Sequence, residues 1–255
     1  MIDQVARGDK PGVLPGWYLG TYPGAREASG VFRGAARNGT GWARTDEEDD
    51  DGERSRLIAA GRAGVALRRY CAANRLNRLG TLTYAGSGCH DPIALRGDVG
   101  KFFVNLRGAL GGKRFPYLWV AEWHKTGHGL HVHFAVGQYV RRSMIDQAWG
   151  HGFVHIKLLG NLPVGSTSLD EARKAAQYLS KYVAKSLDED RIPGLHRYEV
   201  AQHFQPERIP VYGRTLSVAL SRAVGVMGAM ATEVSISNDW KDWTGPRAVT
   251  ARWAS

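Results

Sequence analysis

His131 and His133 stand one residue apart, nine and eleven residues after Glu122. Further along come two tyrosine–lysine couples, Tyr178 with Lys181 and Tyr182 with Lys185. Residues i and i+2 of a strand share one face, and residues i and i+4 of a helix do likewise. The histidine pair with a carboxylate from a neighbouring strand would make a three-ligand site for a divalent cation. A tyrosine is a poor nucleophile while its phenol is protonated, near a pKa of about 10. An adjacent ammonium favours the phenolate, and a cation that polarises a phosphate lowers the barrier further. Such a combination can cut a phosphodiester by transesterification. It leaves a 5′-phosphotyrosine and a free 3′-hydroxyl, and conserves the bond energy for rejoining. The residues point to a DNA-nicking chemistry.

These residues need particular elements beneath them. Residues 79–84 read as a first strand. Asp91-Pro92 reads as a loop, and 96–110 as an amphipathic helix closed by Gly111-Gly112. Strands are expected at 115–124 and 130–137, joined by a hairpin turn. A short helix at 141–149, a strand at 152–159 and a helix from Ser168 to about 187 complete the series. The order β-α-β-β-α-β-α predicts an α+β fold, a ferredoxin-like antiparallel sheet with an added helix carrying the tyrosines. In that sheet the third strand is central and pairs with the second. A tight turn at Thr126-Gly127 sets Glu122 opposite His131, with His133 two residues along on the same face. A mixed nitrogen and oxygen ligand set with open positions suits Mn²⁺ or Mg²⁺ and also admits Co²⁺ or Zn²⁺. The metallo-β-lactamase pattern His-x-His-x-Asp-His is excluded, because Ala135 and Val136 stand where it needs Asp and His. His124, His128, His151 and His155 remain open as substitute ligands or surface groups.

The formal net charge is +10, although Asp46 to Glu53 holds seven acids and no base. With those seven acids set aside, +10 becomes +17, an excess that favours a polyanionic partner. Residues 54–78 carry seven arginines and no acid in a helix-compatible stretch. Arg62, Arg68, Arg69 and Arg75 are its candidate contacts to a DNA backbone, and a solvated helix face is the plain alternative. No run of apolar residues is long enough to span a membrane, and the start lacks the apolar core of a secretory signal. With only Cys71 and Cys89, no disulfide framework or thiolate zinc site is expected, and a cytoplasmic location fits. The predicted organisation is a flexible basic arm and acidic linker at 1–53, a catalytic domain at 54–190 and a C-terminal extension of unassigned role at 191–255. Within that extension 216–230 reads as a helix and 240–253 as a tryptophan-bearing hairpin or strand.

Together the motifs resemble the HUH endonucleases, specifically the two-tyrosine rolling-circle replication initiators (Rep proteins) of plasmids and single-stranded DNA phages. Thr81-Leu82-Thr83-Tyr84 looks like their first motif. His131-Val132-His133-Phe134 matches the His-hydrophobic-His motif, with Glu122 where related initiators place a third ligand. The stretch from Tyr178 to Lys185 matches the third motif, and the resemblance covers roughly 79–187. It implies a metal-dependent, strand-specific nick at a replication origin. Tyr178 and Tyr182 would be nucleophiles assisted by Lys181 and Lys185, and Thr81 and Thr83 would lie near DNA. Single-stranded and origin duplex DNA would be partners, with host helicase and polymerase, since no nucleotide-binding loop is present. A transposase or relaxase of the same superfamily, or a non-catalytic DNA-binding regulator on that scaffold, are the alternatives.

Overall fold

Apolar side chains alternate where the sequence predicts strands, and they recur every three or four residues where it predicts helices. The computed structural model follows that pattern. It describes residues 14–34, 50–157, 159, 162–185, 192–240, 243 and 245–254, with backbone alone at 50–57, 184 and 185. In chain order the elements are β1 (Gly16–Tyr22), β2 (Glu27–Arg33), α1 (Asp50–Ala73), β3 (Arg78–Tyr84), α2 (Pro92–Ala109), β4 (Tyr117–Trp123), β5 (Leu130–Val136), α3 (Arg142–Trp149), β6 (Gly152–Lys157), α4 (Ser168–Lys185), β7 (Glu199–Val200), β8 (Ile209–Gly213), α5 (Leu216–Met227), β9 (Glu233–Ile236) and β10 (Ala248–Arg252). The chain is mixed α+β, with two antiparallel sheets. No helix among the described residues is long and apolar enough to cross a membrane.

Contacts divide the chain into two units, residues 47–206 and residues 1–46 with 207–254. In the first, the strand order is β6-β3-β5-β4-β7. Its elements from β3 to α4 occur in the order read from the sequence. Period-two alternation sends side chains to both faces of the sheet, and both faces are covered. Leu82, Tyr84, Trp119, Val132 and Phe134 pack with Leu95, Phe102 and Trp149 from α2 and α3. Leu79, Leu118, Val120 and Ala135 pack with Leu67, Tyr70 and Cys71 of α1 and with Ala175, Leu179 and Val183 of α4. Each fully buried leucine contributes about 1.5–3 kcal/mol relative to exposure.

Helix ends follow local chemistry. Asp91-Pro92 is a helix start rather than the expected loop. The Asp91 carboxylate accepts from Ile93 N at 2.8 Å, and Pro92 occupies the first turn, where its missing N–H costs nothing. At α4, Thr167 and Asp170 cap each other's backbone: Thr167 N donates to Asp170 Oδ2 at 3.0 Å, and Asp170 N to Thr167 Oγ1 at 3.3 Å. The basic helix expected over 54–78 starts earlier, within the acidic run, and ends at Ala73. Arg75 adopts positive φ in the turn that follows, and Arg78 begins β3.

The second unit differs from expectation. Residues 14–34, read as part of a loose arm, form β1 and β2, and the rest of that arm lies outside the described residues. These strands join β8, β10 and β9 in a five-stranded sheet ordered β8-β1-β2-β10-β9. Trp17, Leu19, Ala28, Val249 and Ala251 face α5, which contributes Ala219, Ala223 and Met227. The helix and strand expected in the C-terminal region are α5 and β10, and both belong to this unit. Short strands rich in Gly, Ser and Ala carry little hydrophobic periodicity of their own, and their partners stand at the opposite end of the chain.

Gly80 shows how tightly the first unit's core is built. A Cβ there would lie 2.4 Å from the Phe134 ring, which is fixed between Phe102 and Phe103. Gly80→Val is expected to destabilise by about 1–3 kcal/mol through overpacking, read as a lowered urea midpoint.

Candidate active site

The site is set by strand order. β5 lies between β3 and β4, so His131 faces Glu122 on one side and Thr83 on the other, and His133 faces Thr81 and Val120. The Glu122–His131 register is the one read from the hairpin, although the turn is wider than two residues. Gly127 N bonds His124 O, and Gly127 and Gly129 both take positive φ. Gly129 has a second reason to be glycine, since a Cβ there would lie 2.3 Å from Cys89 O.

His131 Nε2 lies 2.9 Å and His133 Nε2 3.0 Å from the same oxygen, Glu122 Oε2. One donor atom from each of the three residues falls within 4.8 Å of the others, and this is the one such group among the described residues. His133 is buried, while Glu122 and His131 keep partial access to solvent. The chemistry of the donors fits a divalent cation. Thr81 Oγ1 lies 3.0 Å from His133 Nδ1. A proton on Nδ1 satisfies that hydroxyl and leaves the Nε2 lone pair aimed at the carboxylate. Donors about 3.0 Å apart also match adjacent positions of an octahedron with bonds of about 2.1 Å. Thr81, expected near DNA, is thus placed behind a histidine, while Thr83 stands beside His131.

Helix α4 brings in the tyrosines. Leu169, Ala172, Ala176, Leu179 and Val183 form its buried stripe, and small alanines let α1 approach closely. Tyr178 and Tyr182 flank that stripe, half-buried, on the side of the histidines. The Tyr182 ring stacks on His133 with centroids 3.8 Å apart and planes 17° from parallel. Tyr178 stands edge-on to His133 at 6.4 Å, and the two hydroxyls are 2.6 Å apart, Tyr182 donating to Tyr178. Burial pushes the Tyr182 phenol well above its ordinary pKa, and the neighbouring Tyr178 and Glu122 push it the same way. The proton between the two phenols therefore stays with Tyr182.

The lysines fall differently from the sequence reading. Lys181 lies two residues beyond Leu179, about 200° around the helix, and it is exposed. The Lys185 side chain lies outside the described residues. The ammonium at the site comes from Lys157 on β6, with Nζ 4.8 Å from the Tyr178 ring centroid. Its strand pairs with β3, placing His155 next to Thr81. No sequence motif marks Lys157, whose place depends on β6 being the neighbour of β3. Of the other histidines, His124 stands 5.2 Å from the His131 ring, His128 Nε2 bonds Tyr84 O, and His151 Nε2 lies 3.7 Å from Asp98. None of these joins the three-residue donor group.

The arginines of the basic stretch do not form one stripe. Arg62 is exposed and shares a helical face with Arg69, which is partly covered, whereas exposed Arg68 lies about a third of a turn away. Arg75 turns back on its own helix, and its guanidinium donates to Ala72 O. Removing the Thr81 hydroxyl should loosen the histidine it holds. Thr81→Val is expected to weaken Mn²⁺ binding about 10–100-fold, measured by calorimetric titration, and Thr81→Ser should restore most of it.

No curated protein and no solved structure matches the chain. The segment from residue 77 to residue 187, which holds Thr81, Glu122, both histidines, Lys157 and both tyrosines, matches a family model for replication-associated proteins of the ORF2 kind, and that likeness supports a replication initiator.

Proposed function

We propose that this chain is a rolling-circle replication initiator of the two-tyrosine HUH type, which nicks and rejoins DNA through a 5′-phosphotyrosine. The observation that carries the reading is the placement of Tyr182 flat on His133, with Tyr178 bonded to it, beside the Glu122–His131–His133 group. A tyrosine pair and a cation-binding trio on one face of one sheet supply both halves of a phosphoryl transfer. The strand succession and the order β6-β3-β5-β4 support a ferredoxin-like reading of this unit.

In the proposed reaction Tyr178 attacks first. Its oxygen bonds to phosphorus, and the P–O3′ bond breaks. The phenol proton leaves through water, and a proton ends on the freed 3′-oxygen. Tyr182 donates its hydrogen bond to the attacking oxygen and so favours the anionic form there. Lys157 places positive charge beside the same ring, which favours both the phenolate and an approaching phosphate. Glu122, His131 and His133 would hold a divalent cation, Mn²⁺ or Mg²⁺, which supplies Lewis-acid polarisation of the scissile phosphate. Thr81 keeps His133 in the tautomer that presents Nε2. Tyr182 then serves as acceptor for the second transfer, when the strand is rejoined. DNA contacts by Arg62, Arg68 and Arg69, and unwinding and synthesis by host helicase and polymerase, belong to the same proposal.

The decisive experiment incubates the protein with single-stranded origin DNA and Mn²⁺ and maps the linked residue by mass spectrometry. Tyr178→Phe should lower the first-turnover adduct rate at least about a hundredfold, the double change Tyr178→Phe with Tyr182→Phe should abolish it, and EDTA should do the same. An undiminished adduct in the double variant would overturn the mechanism. Lys157→Met is expected to slow adduct formation more than Lys181→Met does, because Lys157 stands over Tyr178 and Lys181 points to solvent. Equal effects would return the role to the lysine on α4.

A further inference from the structure

The unit formed by residues 1–46 and 207–254 has no part in the chemistry above. Its sheet is covered by α5 on one face, where Trp17, Leu19, Val249 and Ala251 are buried. Alternation sends Tyr18, Gly20 and Tyr22 of β1 and Tyr212 of β8 to the other face. These tyrosines belong to none of the apolar clusters. Tyr18 and Tyr212 are directly opposed, with ring centroids 5.0 Å apart and planes tilted 50°. Their hydroxyls bond to Leu14 O and Pro15 O, which pins the rings by their rims.

Two guanidinium groups alternate with the rings. Arg33 lies over Tyr18, with Cζ 4.9 Å from the ring centroid. Arg208 crosses the strand at Gly20, where a Cβ would meet its Nε at 2.6 Å and the Tyr22 hydroxyl at 3.3 Å. Glycine at this position is what lets a guanidinium cross the sheet surface beside Tyr22. Both arginines are exposed, and neither is ion-paired among the described residues. The acid on β9, Glu233, is taken by Arg252 at 3.3 Å. Described residues of this unit include seven arginines against four acids.

We propose that this face, formed by Tyr18, Tyr22, Tyr212, Arg33 and Arg208, is a second DNA-binding surface, and that its ligand is a single strand. Aromatic rings on an open sheet offer stacking to unpaired bases of any sequence, and interleaved guanidinium groups take the phosphates and stack as well. A duplex keeps its bases paired and presents no ring faces to such a surface. The inference deepens the proposed DNA chemistry, since it gives the chain a hold on a displaced strand through a unit that carries no nicking residue. It does not depend on that chemistry being right.

The test uses the full chain, a short fluorescent oligothymidylate and anisotropy in EDTA, where nicking is silent. Arg33→Glu with Arg208→Glu is expected to weaken binding about tenfold or more and to reduce the salt dependence. Tyr18→Leu with Tyr212→Leu should weaken it to a similar degree while leaving the salt slope in place. If the leucine pair lowers the thermal midpoint, the exposed charge reversals decide the outcome. Unchanged affinity in the charge-reversed protein overturns the surface, and so does tighter binding of a duplex of equal length. The Tyr178→Phe, Tyr182→Phe protein should bind oligothymidylate as the parent does. Absent adduct with intact, Arg33- and Arg208-dependent binding would therefore sink the nicking reaction alone.

Discussion

The pairing of β5 between β3 and β4 is the constraint on which the candidate site depends. Cross-strand neighbours on one face lie about 5 Å apart, and this register turns three separated segments into one cluster. It sets Glu122 opposite His131, Thr81 opposite His133, and His155 beyond Thr81 on β6. A slip of one residue would send both histidines into the opposite face, among Phe102, Phe134 and Trp149. The large apolar residues at Val132 and Phe134 make that slip costly. The packing of one face thus fixes the chemistry of the other.

The chemical face is itself divided. At one end Leu79, Leu118, Val120 and Ala135 lie beneath α1 and α4 and make a dry core. At the other end the same strands carry Glu122, His131, Thr81 and Thr83, which keep access to solvent. Helix α4 crosses that boundary, so its buried stripe anchors it while its flank carries the tyrosines. Stacking Tyr182 on His133 limits the freedom of both rings. It also gives the two phenols different surroundings, which is how one helix can offer two tyrosines with separate roles.

Much of the first unit was legible because its elements are local and strongly patterned. Alternation marked the strands, Gly111-Gly112 marked the end of α2, and the hairpin arithmetic brought Glu122 to His131. Asp91-Pro92 carried a helix-start signal that reads equally well as a loop until the following helix is seen. Lys157 was invisible as a site residue, since only the adjacency of β6 and β3 gives it a role. Arg75 looked like a DNA contact by composition and instead closes the end of its own helix. The second unit was the least legible, because β1 and β2 find their partners in β8 and β10 at the far end of the chain. Pairing across such separations leaves no periodic mark in either segment.

The amino-acid sequence by itself determined which groups are available and which local elements carry them. His-x-His must present two imidazoles on one face of a strand, and Tyr-x-x-x-Tyr must present two phenols on one face of a helix, because backbone geometry admits no other outcome. Whether those faces meet is a question of which strand lies beside which and how a helix packs across them. Only the tertiary structure decided that Tyr182 rests on His133, that Thr81 stands behind it, and that Lys157 rather than Lys181 lies over Tyr178. It also decided that the two ends of the chain close into one sheet with an aromatic, basic face. Each of these depends on long-range burial of apolar surface, which no short segment encodes alone.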